Sequence, residues 1–162
     1  MRTIFIGQAP SRYSDPRRPL IGGRSGTKLQ ELCGFSLRQY FEAFERRNLL
    51  PEWPGPGRDK GDAFPAGLAH EAAKAMLAGL RARRAVLLGR GVAEAFGLCA
   101  PPLEWTRLPC PGGWYEAAYL PHPSGLNHWW NVAENAAAAA RFLQAEGLAG
   151  LQGVAVEAQC PR

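Results

Sequence analysis

The residues with the most to offer chemically lie in two short segments. One is Leu120-Pro121-His122-Pro123-Ser124-Gly125-Leu126-Asn127. Prolines on either side stiffen the backbone at His122, and an imidazole held rigidly can donate a hydrogen bond to an anion as it develops. The plain alternative is a histidine that satisfies a loop carbonyl. The other segment is Gly7-Gln8-Ala9-Pro10-Ser11, followed by Pro19-Leu20-Ile21-Gly22-Gly23-Arg24-Ser25-Gly26. A glycine-rich turn running into a helix offers backbone N–H groups to a phosphate. The Gly-x4-Gly-Lys-Ser/Thr spacing of a P-loop is absent, and the loop is too long and too rich in arginine for a dinucleotide fingerprint. Its plain alternative is a proline-kinked connection with Ser25 or Thr27 capping the next helix.

Both segments need rigid elements behind them. Apolar Thr3 to Gly7 reads as a short buried strand, and the continuous run Ala85-Val86-Leu87-Leu88-Gly89 as a central parallel strand. A second strand is expected to end around Asn48-Leu49-Leu50, with further strands in Leu103–Leu108 and Trp114–Leu120. Helical spacing predicts helices opening near Thr27, after Phe35 with Leu37, Phe41 and Phe44 on one face, over Leu68–Leu80, from Val92, and over Trp129–Glu146. Glu52 to Pro65 is proline- and glycine-rich and reads as a loop. Strands alternating with helices predict an α/β fold: a three-layer α/β/α sandwich around a central, mostly parallel four-stranded sheet. One domain over 1–147 and a loosely attached tail over 148–162 are expected. Sheets of this kind carry their sites at the carboxyl ends of the strands. The loops after Gly7, Leu50, Leu88 and Leu120 are therefore the ones to examine.

Composition narrows the classes. The chain has 162 residues, 46% hydrophobic and 20% charged, which suits one globular core and excludes wholesale disorder. There is no apolar run of roughly 20 residues to span a membrane, and Met1-Arg2-Thr3 runs straight into the first strand, so no secretory leader is expected. A net charge of +5 favours an anionic partner, nucleic acid first. Cys33, Cys99, Cys110 and Cys160 form no Cys-x-x-Cys pair, so they are expected as reduced intracellular thiols, and a structural zinc or cysteine-ligated cluster is not expected.

Taken together, the two segments resemble those of the uracil-DNA glycosylase superfamily, which pairs a Gly-x-x-Pro motif after its first strand with a His-Pro-Ser or Asn-Pro-Ser motif after its last. Here these are Gly7-Gln8-Ala9-Pro10 and His122-Pro123-Ser124-Gly125. Pro19 to Gly26 looks like that superfamily's Phe-x-Gly-(x)-x-Ser/Ala-Gly segment. Arg47-Asn48-Leu49-Leu50 is similar to its base-reading strand, and Ala85 to Arg90 with Val92-Ala93 to its Leu-Gly-x-x-Ala strand and helix start. The likeness runs over about residues 2 to 145.

The resemblance implies excision of uracil or another altered base from DNA, with the nucleotide flipped into a pocket. His122 would then stabilise the leaving base anion, and Gln8 and Asp15 would be the remaining catalytic candidates. Gln8, Ala9, Ser11, Leu20, Ile21 and Asn48 would contact the base, Leu20 or Ile21 stacking on the ring and Asn48 reading its edge. Pro10, Arg12, Arg24, Ser25, Lys28, Pro123, Ser124, Gly125, Leu126 and Asn127 would contact DNA, with Leu126 as the wedge and Arg17 and Arg18 adding charge. DNA is the expected partner, the monomer the expected state and the cytoplasm the expected location, with no membrane, no cofactor and no iron–sulfur cluster.

The chain also departs from that pattern. Ala9 and Gly23 stand where relatives place a water-activating carboxylate, and Gln8 where the iron–sulfur branch has glutamate. Ser11 stands where a tyrosine excludes 5-substituted pyrimidines. Slow excision with broad or unusual base preference is therefore expected. A superfamily member with altered specificity or little turnover, and a small-molecule nucleoside- or nucleotide-binding protein, are the alternatives. Trp53, Trp129 and Trp130 read as packing residues or loop anchors, with base stacking by Trp53 as the alternative.

Overall fold

A computed structural model describes residues 2–57, 61–81, 83–124 and 127–158, with the side chains of 153–158 outside the description. The elements are β1 (Thr3–Gly7), α1 (Gly23–Cys33), α2 (Leu37–Ala43), β2 (Phe44–Asn48), α3 (Ala66–Leu77), β3 (Arg84–Leu88), α4 (Arg90–Ala95), β4 (Thr106–Cys110), β5 (Gly113–Leu120) and α5 (Ala133–Ala158). They form an α/β/α sandwich on one five-stranded sheet of order β2-β1-β3-β5-β4. All neighbours are parallel except the β4–β5 hairpin. The sheet thus has one strand more than the expected four. The tight turn through Gly112, at φ 76°, folds Thr106–Cys110 back onto β5 as an antiparallel edge.

Alternation along the strands divides the core in two. Ile4, Ile6, Ala85, Leu87, Tyr115 and Ala117 face α3 and α4, packing with Ala69, Ala73, Val92 and Ala93. Phe5, Val86, Leu88, Ala118 and Leu120 point the other way. Most of that second set packs with Leu29 of α1, Tyr40 of α2 and Leu143 of α5. The central strands are buried on both faces, which is why they read as unbroken apolar runs. β2, Phe-Glu-Arg-Arg-Asn, lies at an edge, where charged side chains are tolerated and discourage pairing with another chain.

Boundaries differ from the sequence expectation in several places: α1 opens at Gly23 rather than near Thr27, with Gly22 and not Ser25 or Thr27 at its cap, and β2 ends at Asn48. Phe44 continues the helical spacing of Leu37 and Phe41 but belongs to β2, where it stacks on Phe5 at 4.3 Å. The buried residues of α2 are Tyr40 and Ala43, and Leu37 is exposed. The chain between Leu103 and Trp105 is not strand: Leu103 takes φ 68°, and Trp105 packs on Phe142. Trp129 belongs to a 3-10 turn over His128–Asn131, and the last helix starts at Ala133 and runs to Ala158.

The expected tail is therefore helical well past Gly147. Its attachment is visible in the side chains. Glu146 is buried, accepting from Thr3 Oγ1 at 3.0 Å and from Arg84 Nη1 at 2.9 Å. A Cβ at Gly147 or Gly150 would collide with Phe35 or with the Ala43 carbonyl, so these glycines let α5 lie directly on the α2 region. Among the described residues no helix is long and apolar enough to cross a membrane. Cys33 is buried, Cys110 half-buried and Cys99 exposed, while Cys160 lies outside the described residues.

Candidate functional site

β1 connects through α1 and α2 to β2 on one side, and the chain later returns to β3 on the other. The connections leaving β1 and β3 thus diverge, and a crevice opens at their carboxyl ends, the usual place for a ligand in a sheet of this kind. A cavity of about 640 Å³ lies there. Its wall includes the Gln8–Ser11 segment, Leu20 and Ile21, Asn48 from the end of β2, His122 from beyond β5, and Asp62. Segments far apart in sequence are thus brought to one concavity.

His122 is seated by backbone geometry. Gly89, at φ 98°, donates its N–H to the Leu120 carbonyl at 2.9 Å, and a Cβ there would stand 3.4 Å from that of His122. Glycine is the residue that adopts this φ freely and lets the loop pass close. The His122 carbonyl accepts from Ser124 N–H at 2.8 Å and from the Trp130 indole Nε1–H at 2.9 Å. Asn127 closes the segment, its N–H donating to the Ser124 carbonyl and its Oδ1 accepting from Trp129 N–H at 3.1 Å. Burial pushes the His122 imidazole below its ordinary value, with the Asp62 carboxylate opposing the shift. A neutral imidazole is the form suited to donate to an anion without itself carrying charge.

Leu20 and Asn48 meet over Gly7. A Cβ on Gly7 would lie 3.0 Å from Leu20 Cδ2 and 3.1 Å from Asn48 Oδ1. Leu20 takes φ 58°, a left-handed conformation costing on the order of 1–3 kcal/mol for a residue with a side chain. It is held there by Tyr40, whose hydroxyl donates to the Leu20 carbonyl at 3.4 Å. The absent side chain of Gly26 lets the Leu20 carbonyl sit against α1. An apolar face and an amide thus share the cavity floor, and of the two candidates for ring stacking Leu20 is the one beside Asn48.

The other expected residues fall into groups. Ala9, Pro10, Ser11, Arg18, Arg24, Ser25 and Ser124 line the cavity. Gln8 does too, but its Nε2 donates to the Ala63 carbonyl at 2.7 Å, leaving its amide oxygen as an acceptor that cannot take a proton. Asp15 lines the mouth with its oxygens turned to Arg17. The Arg17 backbone N–H and then its guanidinium hold that carboxyl below the usual range. Asp15 is thus mainly a turn residue.

Lys28 sits 4.3 Å over the Trp130 ring, and Arg12 near the rings of Tyr13 and Trp53. Neither lines the cavity, and nor do Arg17, Pro123 and Asn127. Gly125 and Leu126 lie outside the described residues. Tyr13 stays at the rim, 89% exposed, and does not fill the space beside Ser11.

Two residues with a part in the site escaped the sequence reading. Trp130 reads as a packing tryptophan, which it is at 9% exposure, yet it also anchors the His122 carbonyl. Asp62 lies in the loop after Leu50, one of the four expected to matter, but nothing in the composition of that loop distinguishes it. Among the described residues no group of three metal-ligating side chains converges. No protein-family model matches the chain, and no curated protein matches it at a significant level.

Proposed function

We propose that the chain is a DNA glycosylase related to the uracil-DNA glycosylase superfamily, hydrolysing the bond between deoxyribose and uracil or another altered base. It acts as a monomer on DNA in the cytoplasm. The observation that carries this reading is the single cavity shared by His122, Asn48, Leu20 and the Gly7–Pro10 turn at the carboxyl ends of the parallel strands. A flipped base fits between an apolar face, Leu20, and an amide able to pair with its edge, Asn48. The His122 ring donates to the oxygen on which negative charge grows as the glycosidic bond breaks. Arg18 and Arg24 on the cavity wall place positive charge where the phosphates of the flipped nucleotide would pass. The helix start at Gly23, with no side-chain cap, adds unpaired N–H groups nearby.

Incubation with oligonucleotides carrying uracil, hypoxanthine, xanthine or 5-substituted pyrimidines, followed by alkaline cleavage at abasic sites, tests this reading. Cleavage with the wild type and a loss of about 10²–10³-fold in His122→Ala supports it. No abasic product from any base sinks it. Nucleoside binding without salt-sensitive DNA affinity would then favour a small-molecule binding protein.

A further inference from the structure

Two carboxylates line the cavity among the described residues, Asp15 and Asp62. Asp15 is taken up by Arg17 through the backbone N–H and the guanidinium. Asp62 is held in another way. Pro56 and Asp62 form a short antiparallel bridge, with Gly57 N–H donating to the Gly61 carbonyl at 2.6 Å and Ala63 N–H to the Gly55 carbonyl at 2.9 Å. Gln8, at the end of β1, ties the next residue down through its bond to the Ala63 carbonyl. The Trp53 indole Nε1–H donates to Asp62 Oδ1 at 2.8 Å, with Arg12 5.7 Å over the Trp53 ring. One oxygen of Asp62 is thus fixed by a neutral donor. Its Oδ2 accepts no hydrogen bond from the described residues. The residue stands on the cavity wall that also carries His122.

We propose that Asp62 is the catalytic carboxylate that orients and deprotonates the attacking water, an inference that rests on the function proposed above. The C1′–N bond breaks and its electron pair leaves with the base, whose charge the His122 ring meets. The water oxygen forms the new bond to C1′, and its proton passes to Asp62 Oδ2 and then to solvent. The base takes up a proton in turn, so one water is consumed, and a neutral base and an abasic sugar are released. Asp62 also sets a negative charge near the sugar as positive charge builds there. Gln8, with only an amide, can hold the same water but cannot accept its proton.

The test is single-turnover excision by the wild type, Asp62→Asn, Asp62→Glu and Asp15→Asn, using whichever base of the oligonucleotide panel the wild type releases fastest. Asp62→Asn is expected to lose about 10²–10⁴-fold in rate, the span of a positioned general base. Its melting temperature and DNA affinity should stay close to the wild type. Asp62→Glu should recover part of the rate. The imidazole of His122, followed by NMR, should titrate lower in Asp62→Asn, because the carboxylate that opposes its depression is gone. A rate in Asp62→Asn within threefold of a working wild type (roughly 0.65 kcal/mol) overturns the proposal and leaves Asp62 as an anchor for Trp53. An unmoved His122 midpoint, or the large loss appearing in Asp15→Asn instead, overturns it too. A wild type that releases no base removes the glycosylase reading and the role of Asp62 together.

Discussion

The Trp130 indole Nε1–H donates to the His122 carbonyl at 2.9 Å, joining the turn before α5 to the loop after β5. The same carbonyl accepts from Ser124 N–H, so the backbone at His122 is fixed from both sides. Trp130 is itself held, with Trp129 edge-on at 4.7 Å and Lys28 over its ring. Through that carbonyl Trp130 holds the backbone that carries the imidazole.

Trp130→Phe keeps an aromatic ring and removes the donor. The fold should lose about 0.5–1.5 kcal/mol, the usual worth of one such bond. Excision under saturating DNA should fall roughly tenfold through misplacement of the ring. A purely structural tryptophan would lower stability and leave the single-turnover rate per folded molecule unchanged. The two are separated by measuring kcat and KM beside a denaturant titration.

The burial of His122 makes stability depend on pH with a definite sign. The unfolded imidazole titrates near 6.5 and the folded one lower, so between the two values the unfolded chain binds more protons. Stability is complete above the ordinary value and falls as pH drops through the depressed one. Within the cavity Asp62 opposes the depression, and Arg18 and Arg24 share the wall. Urea unfolding at about pH 7.5 and about pH 5.5 should show this loss in the wild type and a smaller one in His122→Ala. Equal losses in both would place the dependence elsewhere.

Asn48→Ala should reduce discrimination between bases by roughly tenfold or more while DNA affinity changes only a few-fold, because base contacts specify and phosphate contacts position. Competition between uracil- and hypoxanthine-containing duplexes reads the first quantity, and a salt titration of binding reads the second. An equal fall in affinity for every duplex would make Asn48 a scaffold residue of the cavity floor.

Ser11→Tyr should narrow the cavity at the place Tyr13 leaves open. Excision of 5-methyl or 5-hydroxymethyl pyrimidines should drop relative to uracil by about tenfold or more, the scale on which a pocket rejects a group of that size. A wild type that already rejects 5-substituted bases would show that something else closes this side.

Much of the fold follows from local pattern. Thr3–Gly7 and Ala85–Leu88 are apolar on both faces because helices cover both, and a run with no polar interruption has few other uses in a chain of this size. Where pattern misled, tertiary contacts outweighed it. Phe44 keeps helical spacing with Phe41, yet stacking on Phe5 across β1 and β2 draws it into the sheet. Beyond Gly147 the chain continues as α5, which meets Thr3 and Arg84 through Glu146, Phe35 at Gly147 and the Ala43 carbonyl at Gly150.

The candidate site divides along the same line. His122 between prolines, the Gly7–Pro10 turn and Asn48 at a strand end are identifiable from residue type and spacing, because backbone stiffness and strand ends are local properties. That they share one cavity depends on the strand order β2-β1-β3-β5-β4, which sequence spacing does not encode. Which carboxylate faces His122 was also beyond local reading. Asp15 lies closer to the motif, but Arg17 two residues on engages it, while Asp62 reaches the cavity through bonds from Trp53 and through Gln8. A loop's composition states that it will bend. Where a side chain such as that of Asp62 ends up is decided by the partners that bind the loop down, and those partners come from other parts of the chain.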